Sequence, residues 1–293
     1  MISRLDILRG LRRLHWLRQR DPVELGLRGW SWDNPPLRPR AYFGLGVSEV
    51  AYRYCETARD VFLRRVRRLE FKPSPQMRIG SIVHSVFHAA AWDVRRLLVN
   101  GLDSWRVYEE LAGKARERLA ELIGGDGVSW AVSFYKYLVL GWASEAARVE
   151  ALYGGEAVTW LPWFTEVRVD GSSLGLSNNL RVDALAEGGV VVEVKYGKPL
   201  DFHKTGLAGY ALAIGSQLEV PVDYGILVYV NGIPEGKPRI SYEYVYIDNH
   251  LRHEFLEKRD EIIDMLETQR EPPRQPSCPK TCPFYEYCWG ACS

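Results

Sequence analysis

The stretch VDALAEGGVVVEVKYGK, residues 182–198, predicts two β-strands joined by a glycine turn. Glu193 and Lys195 are two residues apart on the second strand, so their side chains point to one face. A two-residue glycine loop would place Asp183 opposite Val194, on the wrong face. A three-residue loop, Glu187–Gly188–Gly189, places Asp183 opposite Glu193, and glycine supplies the left-handed residue that such loops need. We therefore predict the longer loop, with the Cβ atoms of the two acids about 5 Å apart.

Two carboxylates at that separation repel each other unless a positive charge lies between them. Mg²⁺ or Mn²⁺ prefers such hard oxygen ligands. Lys195 beside the ion could position or activate a water molecule and stabilise charge on a phosphate. The spacing alone leaves an alternative open, in which Glu193 and Lys195 are a solvent-facing pair on the strand.

Length and composition favour a single elaborated core. The chain has 293 residues, 46% of them apolar and 26% charged, as is typical of a folded soluble protein. No apolar run reaches the roughly 18 residues that a membrane helix needs. The basic start lacks the uninterrupted apolar stretch of a secretory signal, so we expect a cytoplasmic protein. A net charge of +1 limits any nucleic-acid surface to a local patch.

Four of the five cysteines crowd the C-terminal stretch SCPKTCPFYEYCWGACS, whereas Cys55 stands alone. In a cytosolic chain this arrangement indicates metal binding before disulfides. A tetrahedral zinc site on the C-terminal four, without Cys55, is one possibility. A tail that merely happens to be rich in cysteine is the other.

The order of the elements indicates an α/β protein with a helical region ahead of the sheet. Apolar periodicity predicts helices at about 1–20, 48–66, 77–99, 103–123, 128–153 and 250–269, and another in the stretch DFHKTGLAGYALAIGSQLEV. Ser48 is the expected cap of the second helix. β-branched and aromatic runs predict strands at WFTEVRVDG, LRVDALAE, VVVEVKYG, DYGILVYVN and ISYEYVYID.

Several motifs together resemble a known family. RVDAL followed by VVVEVKYGK resembles the second and third motifs of RecB-like nucleases in the PD-(D/E)xK superfamily. RIGSIVHSVFHAA resembles their first motif, a helix that carries a metal-binding histidine, here His84. The cysteine arrangement is similar to that of the CRISPR-associated iron–sulfur exonucleases, the fourth Cas family, most closely its longer archaeal Csa-one branch. AGYALAIGSQLEVPVDYGILVYV also resembles that branch, and the likeness covers roughly residues 45–290.

The resemblance implies a PD-(D/E)xK, restriction-endonuclease-like core sheet flanked by helices. It divides the chain into four regions. These are a basic helix with a Pro/Trp-rich arm (1–45), a helical region with Cys55 and His84 (46–160), a RecB-like nuclease core (161–270) and an iron–sulfur tail (271–293).

The resemblance also implies roles for individual residues. His84, Asp183 and Glu193 would bind Mn²⁺ or Mg²⁺ with the Val194 carbonyl, and Lys195 would be the catalytic lysine. Tyr210 would belong to the catalytic group, but Gly206 stands four residues before it, where RecB-like members commonly carry glutamine. Ligands of a [4Fe–4S] cluster would be Cys55, Cys278, Cys282 and Cys288, leaving Cys292 spare.

The implied activity is metal-dependent exonuclease cleavage of single-stranded DNA ends, 5′ to 3′, in CRISPR spacer acquisition with the Cas integrase proteins as partners. Two alternatives stay open. One is a catalytically weak DNA-binding adaptor of the integration complex, which Gly206 favours, and the other is a RecB-like repair nuclease.

Four arginines, Arg64, Arg65, Arg67 and Arg68, could contact phosphates or form a solvated helix face.

Overall fold

The computed structural model describes residues 4–124, 128–154, 163–186 and 189–290. Its centre is a five-stranded sheet in the order β1-β2-β3-β4-β5. The strands are β1 Phe164–Val169, β2 Leu180–Ala186, β3 Val190–Tyr196, β4 Tyr224–Asn231 and β5 Arg239–Tyr246. Neighbouring strands are antiparallel except β3 and β4, which are parallel. The predicted α/β class and all five predicted strands are confirmed.

Nine α-helices of the described residues surround the sheet. They are α1 Arg4–Arg20, α2 Val47–Ala51, α3 Arg59–Arg65, α4 Pro75–Val99, α5 Ser104–Ile123, α6 Val128–Tyr153, α7 Phe202–Leu218, α8 Asn249–Thr268 and α9 Tyr285–Trp289. The cap of α4 is Ser74, whose side chain accepts a hydrogen bond from the Met77 N–H at 3.3 Å. The helix therefore begins two residues before its predicted start. The crossover between the parallel strands β3 and β4 runs through α7, as parallel pairs require.

The single helix predicted from Ser48 to about Val66 is wrong. Two short helices, α2 and α3, occupy this stretch, and residues 52–58 between them are not helical. Gly46 is the N-cap of α2, and its N–H donates to the Glu49 carboxylate at 2.7 Å. Ala58, directly before α3, has a left-handed backbone with φ of 54°. The interruption matters because it contains Tyr52 and Cys55, which reach two different sites described below.

The sheet separates two apolar cores. Val190, Val192 and Val194 of β3 pack in one core with α4, α5 and α6. Val191, between them, packs in the other core with α7, α8 and the N-terminal arm. A strand buried on both faces explains the unbroken valine run. Glu193 and Lys195 have the parity of Val191, so they point to the α7 side of the sheet.

The N-terminal region lies against the rest of the molecule. Helix α1 contacts β5, and the arm that follows buries Leu27, Leu37 and Leu45 almost completely. No helix in the described ranges is long and apolar enough to cross a membrane.

Candidate active site

The hairpin has the register that the three-residue loop predicts. Ala186 pairs with Val190, Leu185 with Val191, and Ala184 with Val192. One further step in this register brings Asp183 opposite Glu193. Glu187 and Gly188 lie outside the described residues, and Gly189 has a left-handed φ of 77°. The predicted Cβ separation of the two acids stays a prediction.

Glu193 and Lys195 form an ion pair that is shielded from water. Their Oε2 and Nζ atoms are 2.5 Å apart, and only 2% and 14% of the two side chains are exposed. The alternative of a solvent-facing strand pair is therefore wrong. Burying a charged pair is costly unless further hydrogen bonds satisfy both charges, so a buried pair of this kind requires additional polar partners.

Asp183 is held by a helix on one side and a strand on the other. Its Oδ1 lies 3.0 Å from Nδ1 of His84 on α4, and its Oδ2 accepts a hydrogen bond from the Val194 N–H at 2.8 Å. Burial opposes the charged forms of both side chains, but their mutual attraction outweighs it. The pKa of His84 is consequently raised and that of Asp183 lowered.

Tyr52 completes the group, and the sequence analysis missed it. Its hydroxyl donates to Oε2 of Glu193 and accepts from Nζ of Lys195 at 2.6 Å. Nζ also lies 4.4 Å from the centre of the Tyr52 ring. Burial and the charge of Glu193 raise the pKa of Tyr52 well above its usual value, which keeps the hydroxyl protonated. No motif pointed to this residue, because its position depends on the break between α2 and α3.

Tyr210 lies in the same group, as expected. Burial, the charges of Glu193 and Asp183 and a hydrogen bond to Glu193 raise its pKa well above the usual value. The structure thus brings His84, Asp183, Glu193, Lys195 and Tyr210 together. Gly206 is one helical turn before Tyr210 on α7, and a Cβ atom at this glycine would lie 2.8 Å from the ring and hydroxyl of Tyr52.

A cavity of about 370 Å³ opens beside this group. Polar site residues line one side, among them His84 and Lys195. Large aromatic and apolar side chains also line it: Tyr52, Tyr54, Phe71, Met77, Tyr196 and Phe284. The cavity also reaches Cys55 and Cys282, so it connects the hairpin site with the cysteine tail.

The four cysteines assigned to the cluster converge, although Cys278 comes 223 positions after Cys55 in the chain. All four are free thiols that line one small pocket, with Cys282 and Cys288 as the other two. Burial, a hydrogen bond with Cys282 and the nearby thiols raise the pKa of Cys278 to about 12. Cys292 lies outside the described residues. Within the described part of the chain, no three His, Cys, Asp or Glu side chains are arranged to hold a single metal ion.

The arginines after Cys55 are largely engaged by carboxylates. Arg64 and Arg65 both bind Glu49, and Arg67 binds Glu271 at 2.8 Å. These pairs tie α3 to α2 and to the segment after α8. The pairing supports a structural role for these side chains rather than a row of free phosphate contacts.

Comparison with known proteins agrees with this arrangement. The family model of CRISPR-associated exonuclease Csa1 matches residues 1–291. A CRISPR-associated exonuclease Csa1 of Thermoproteus tenax is 33% identical over 293 residues, which cover 98% of this chain and 99% of the relative. One of Saccharolobus solfataricus is 31% identical over 274 residues, covering 91% and 92% respectively. The chain belongs to the CRISPR-associated exonuclease Csa1 family.

Proposed function

We propose that this chain is a divalent-metal-dependent exonuclease that trims single-stranded DNA ends, 5′ to 3′, during CRISPR spacer acquisition. The observation that carries the proposal is the buried hairpin group, in which Asp183 and Glu193 lie beside Lys195 and His84. Buried acids grouped with a lysine and a histidine in a cleft are typical of catalytic sites. Family membership supports the same activity, since both relatives are named exonucleases.

The metal ligands in this proposal are His84, Asp183, Glu193 and the Val194 carbonyl. The donor set fits Mn²⁺ or Mg²⁺, because it combines two carboxylates with a carbonyl and an imidazole. As the side chains stand, His84 contacts Asp183, and ligation would exchange that contact for the ion. Tyr52 and Lys195 both contact Oε2 of Glu193, so ligation through Oε1 would leave these two contacts in place. When bound, the ion supplies Lewis-acid activation of the phosphate and lowers the pKa of a bound water.

Lys195 and Tyr210 then have distinct roles. The ammonium of Lys195 stabilises charge that develops on the scissile phosphate, and its low exposure strengthens that interaction. Tyr210 holds Glu193 from the α7 side.

The superfamily fold of the PD-(D/E)xK type is part of this proposal, supported by the mixed five-stranded sheet with its site at the central hairpin.

The DNA end would enter the cavity beside Lys195. Tyr54 and Phe71 at its wall are 59% and 39% exposed, and bases stack on such aromatic rings without sequence preference. Stacking needs unpaired bases, which is the reason to propose a single-stranded substrate. Expected partners are the Cas integrase proteins that would receive the trimmed ends, and the expected compartment is the cytoplasm.

A [4Fe–4S] cluster on Cys55, Cys278, Cys282 and Cys288 would have a structural role. The fit rests on four free thiols that line one pocket, and a thiol with a raised pKa is suited to be a ligand only once a metal stabilises its thiolate. Cys55 precedes α3, Cys278 and Cys282 precede α9, and Cys288 lies within α9, so the cluster would join two distant parts of the chain. Anaerobic purification of Cys55→Ser should yield protein that has lost the iron and visible absorbance of the wild type. Unchanged iron content would favour a site on the C-terminal cysteines.

The test of the activity is degradation of 5′-labelled and 3′-labelled single-stranded DNA with Mn²⁺. The wild type should degrade it and Lys195→Ala should not. Lys198→Ala is the matched control, because Lys198 is an exposed lysine three residues away along the chain. Equal cleavage by Lys195→Ala would refute the assignment of the hairpin.

A catalytically weak DNA-binding adaptor is the second candidate. The observation in its favour is that the site is closed by its own hydrogen bonds: protein groups already occupy both Asp183 and Glu193. If the wild type binds single-stranded DNA but does not cut it, the adaptor role replaces the exonuclease role.

A further inference from the structure

We propose that Tyr52 is a positioning residue that fixes the direction of Lys195 and Glu193, and that Gly206 is required because it leaves the space that Tyr52 occupies. This inference rests on the proposed function, since it assigns a role within the same site. It concerns a tyrosine outside the hairpin and a glycine on α7, and the proposal above gives neither of them a role.

The contacts of the hydroxyl explain why Tyr52 positions its neighbours. It bridges two charged groups, accepting from Lys195 and donating to Glu193. A lysine has a flexible four-carbon stem and three rotatable donors, so a single partner leaves its ammonium several orientations. With the Tyr52 hydroxyl on one side and the Glu193 carboxylate on the other, the ammonium of Lys195 keeps a single orientation. The ring below Nζ adds a cation–π contact.

The Tyr52 ring is itself held firmly. It packs edge-on against His203, with ring centres 5.7 Å apart, and lies 5.9 Å from Phe202. The backbone N–H of Tyr52 donates to the Ser48 carbonyl at the end of α2. A rigid ring fixed to a helix end is suited to transmit a direction to Lys195, since catalytic groups need to be held to within a fraction of an ångström.

Gly206 makes this arrangement sterically possible. A Cβ atom there would be 2.8 Å from both Cε1 and the hydroxyl oxygen of Tyr52, closer than side chains approach one another. The residue is buried in α7, whose neighbours Leu207 and Ala208 are also buried, so the helix backbone has no room to retreat. Any side chain at position 206 must therefore move Tyr52, and through it Lys195.

The first experiment compares Tyr52→Phe with wild type and with Tyr42→Phe, a change at an exposed tyrosine. Tyr52→Phe keeps the ring and removes only the bridge. We expect kcat to fall about 10- to 100-fold while KM for DNA stays within about twofold, since a small misplacement of a catalytic group has that effect. A purely structural role would instead lower the thermal midpoint and leave kcat unchanged.

A second readout does not depend on activity. Acylation of Lys195 by an N-hydroxysuccinimide ester, mapped by mass spectrometry, should be several-fold faster in Tyr52→Phe, because Nζ has lost a hydrogen-bond partner. Tyr42→Phe should label like the wild type.

A double-mutant cycle tests the role of Gly206. Gly206→Ala alone should lower both kcat and the thermal midpoint, because its Cβ displaces the Tyr52 ring. In the Tyr52→Ala background the same change should cost neither, because the ring is gone. Equal effects in the two backgrounds would overturn the steric argument.

The outcomes separate this inference from the proposed function. If the wild type does not cut DNA, the proposed function fails, and the labelling and thermal measurements still decide whether Tyr52 and Gly206 act as inferred. If the wild type cuts DNA and Tyr52→Phe both cuts and labels like it, the positioning role is wrong while the exonuclease stands.

Discussion

At the scale of single residues, the site is a group of buried polar side chains that satisfy one another. Lys195 contacts Glu193 and Tyr52, and Asp183 contacts His84 and the Val194 N–H. His203 differs from the others, because it is 3% exposed and its Nε2 has no hydrogen-bond partner among the described residues. Burial and the charge of Lys195 lower the pKa of His203 to about 4.

This lowered pKa predicts a loss of stability in acid. The folded protein keeps His203 neutral down to about pH 4, whereas the unfolded chain takes up the proton near the ordinary value of 6.5. Protons therefore favour the unfolded state, and the free energy of unfolding should decrease as pH falls from about 6.5 to about 4. In His203→Gln, which has no such proton, urea midpoints should decrease less over this window. An identical decrease of the urea midpoint in both proteins would contradict the lowered pKa of His203.

Single residues were predictable where a motif or a parity rule named them. Asp183, Glu193 and Lys195 follow from the period of the strand and the length of the loop, and His84 and Tyr210 from the family resemblance. Tyr52 was not predictable, because its role depends on a non-helical stretch that contradicts the local helical pattern. Gly206 was recognised only as a departure from the family. The structure supplies a reason for it, since a glutamine there would collide with Tyr52.

At the scale of elements, the β2–β3 hairpin sets the site through its register. Gly189 in the loop has a φ of 77°, which an L-residue adopts only at a cost. Space is not the limit there, because the nearest atom to an added Cβ would be the Pro221 carbonyl oxygen at 3.9 Å. Strain alone therefore explains the glycine. The sequence could predict this left-handed glycine, since three-residue hairpin loops need a residue in that conformation.

Two glycine-to-alanine changes should have opposite signs. Gly189→Ala should destabilise the protein by about 1–2 kcal/mol, the usual cost of a left-handed backbone. Gly113→Ala, in the exposed middle of α5 where nothing lies within 4 Å of the added atom, should stabilise it by about 0.5–1 kcal/mol. Chemical denaturation of both variants measures the two effects. A neutral Gly189→Ala would show that the loop relaxes to another conformation.

At the scale of the whole molecule, a buried charge network fastens the N-terminal arm to the sheet. Asp223, just before β4, binds Arg18 of α1 at 2.6 Å, Arg28 of the arm, and Arg252 of α8 at 3.3 Å. Arg252 is 1% exposed, and burial lowers its pKa to about 10. The sequence offered no sign of this network, because its members lie far apart in the chain and belong to no periodic pattern.

Loss of the Asp223 charge should therefore be severe. Asp223→Asn leaves Arg252 buried without a counter-charge, and we expect the free energy of unfolding to fall by about 3–5 kcal/mol. Glu110→Gln is the control, because its pair with Lys114 lies on the surface of α5 and should contribute less than about 1 kcal/mol. Thermal and urea unfolding measure both. Similar small losses would show that the arm does not depend on Asp223.

The proposed exonuclease activity requires that the hairpin and α4 together hold a divalent ion. The most direct measurement is titration of the protein with Mn²⁺, followed by electron paramagnetic resonance, for wild type, Asp183→Asn and the control Asp170→Asn, an exposed aspartate after β1. We expect binding by the wild type and Asp170→Asn, and at least about 10-fold weaker binding by Asp183→Asn, since even outer-shell partners of a metal site contribute that much. Equal Mn²⁺ affinity in all three proteins would contradict it.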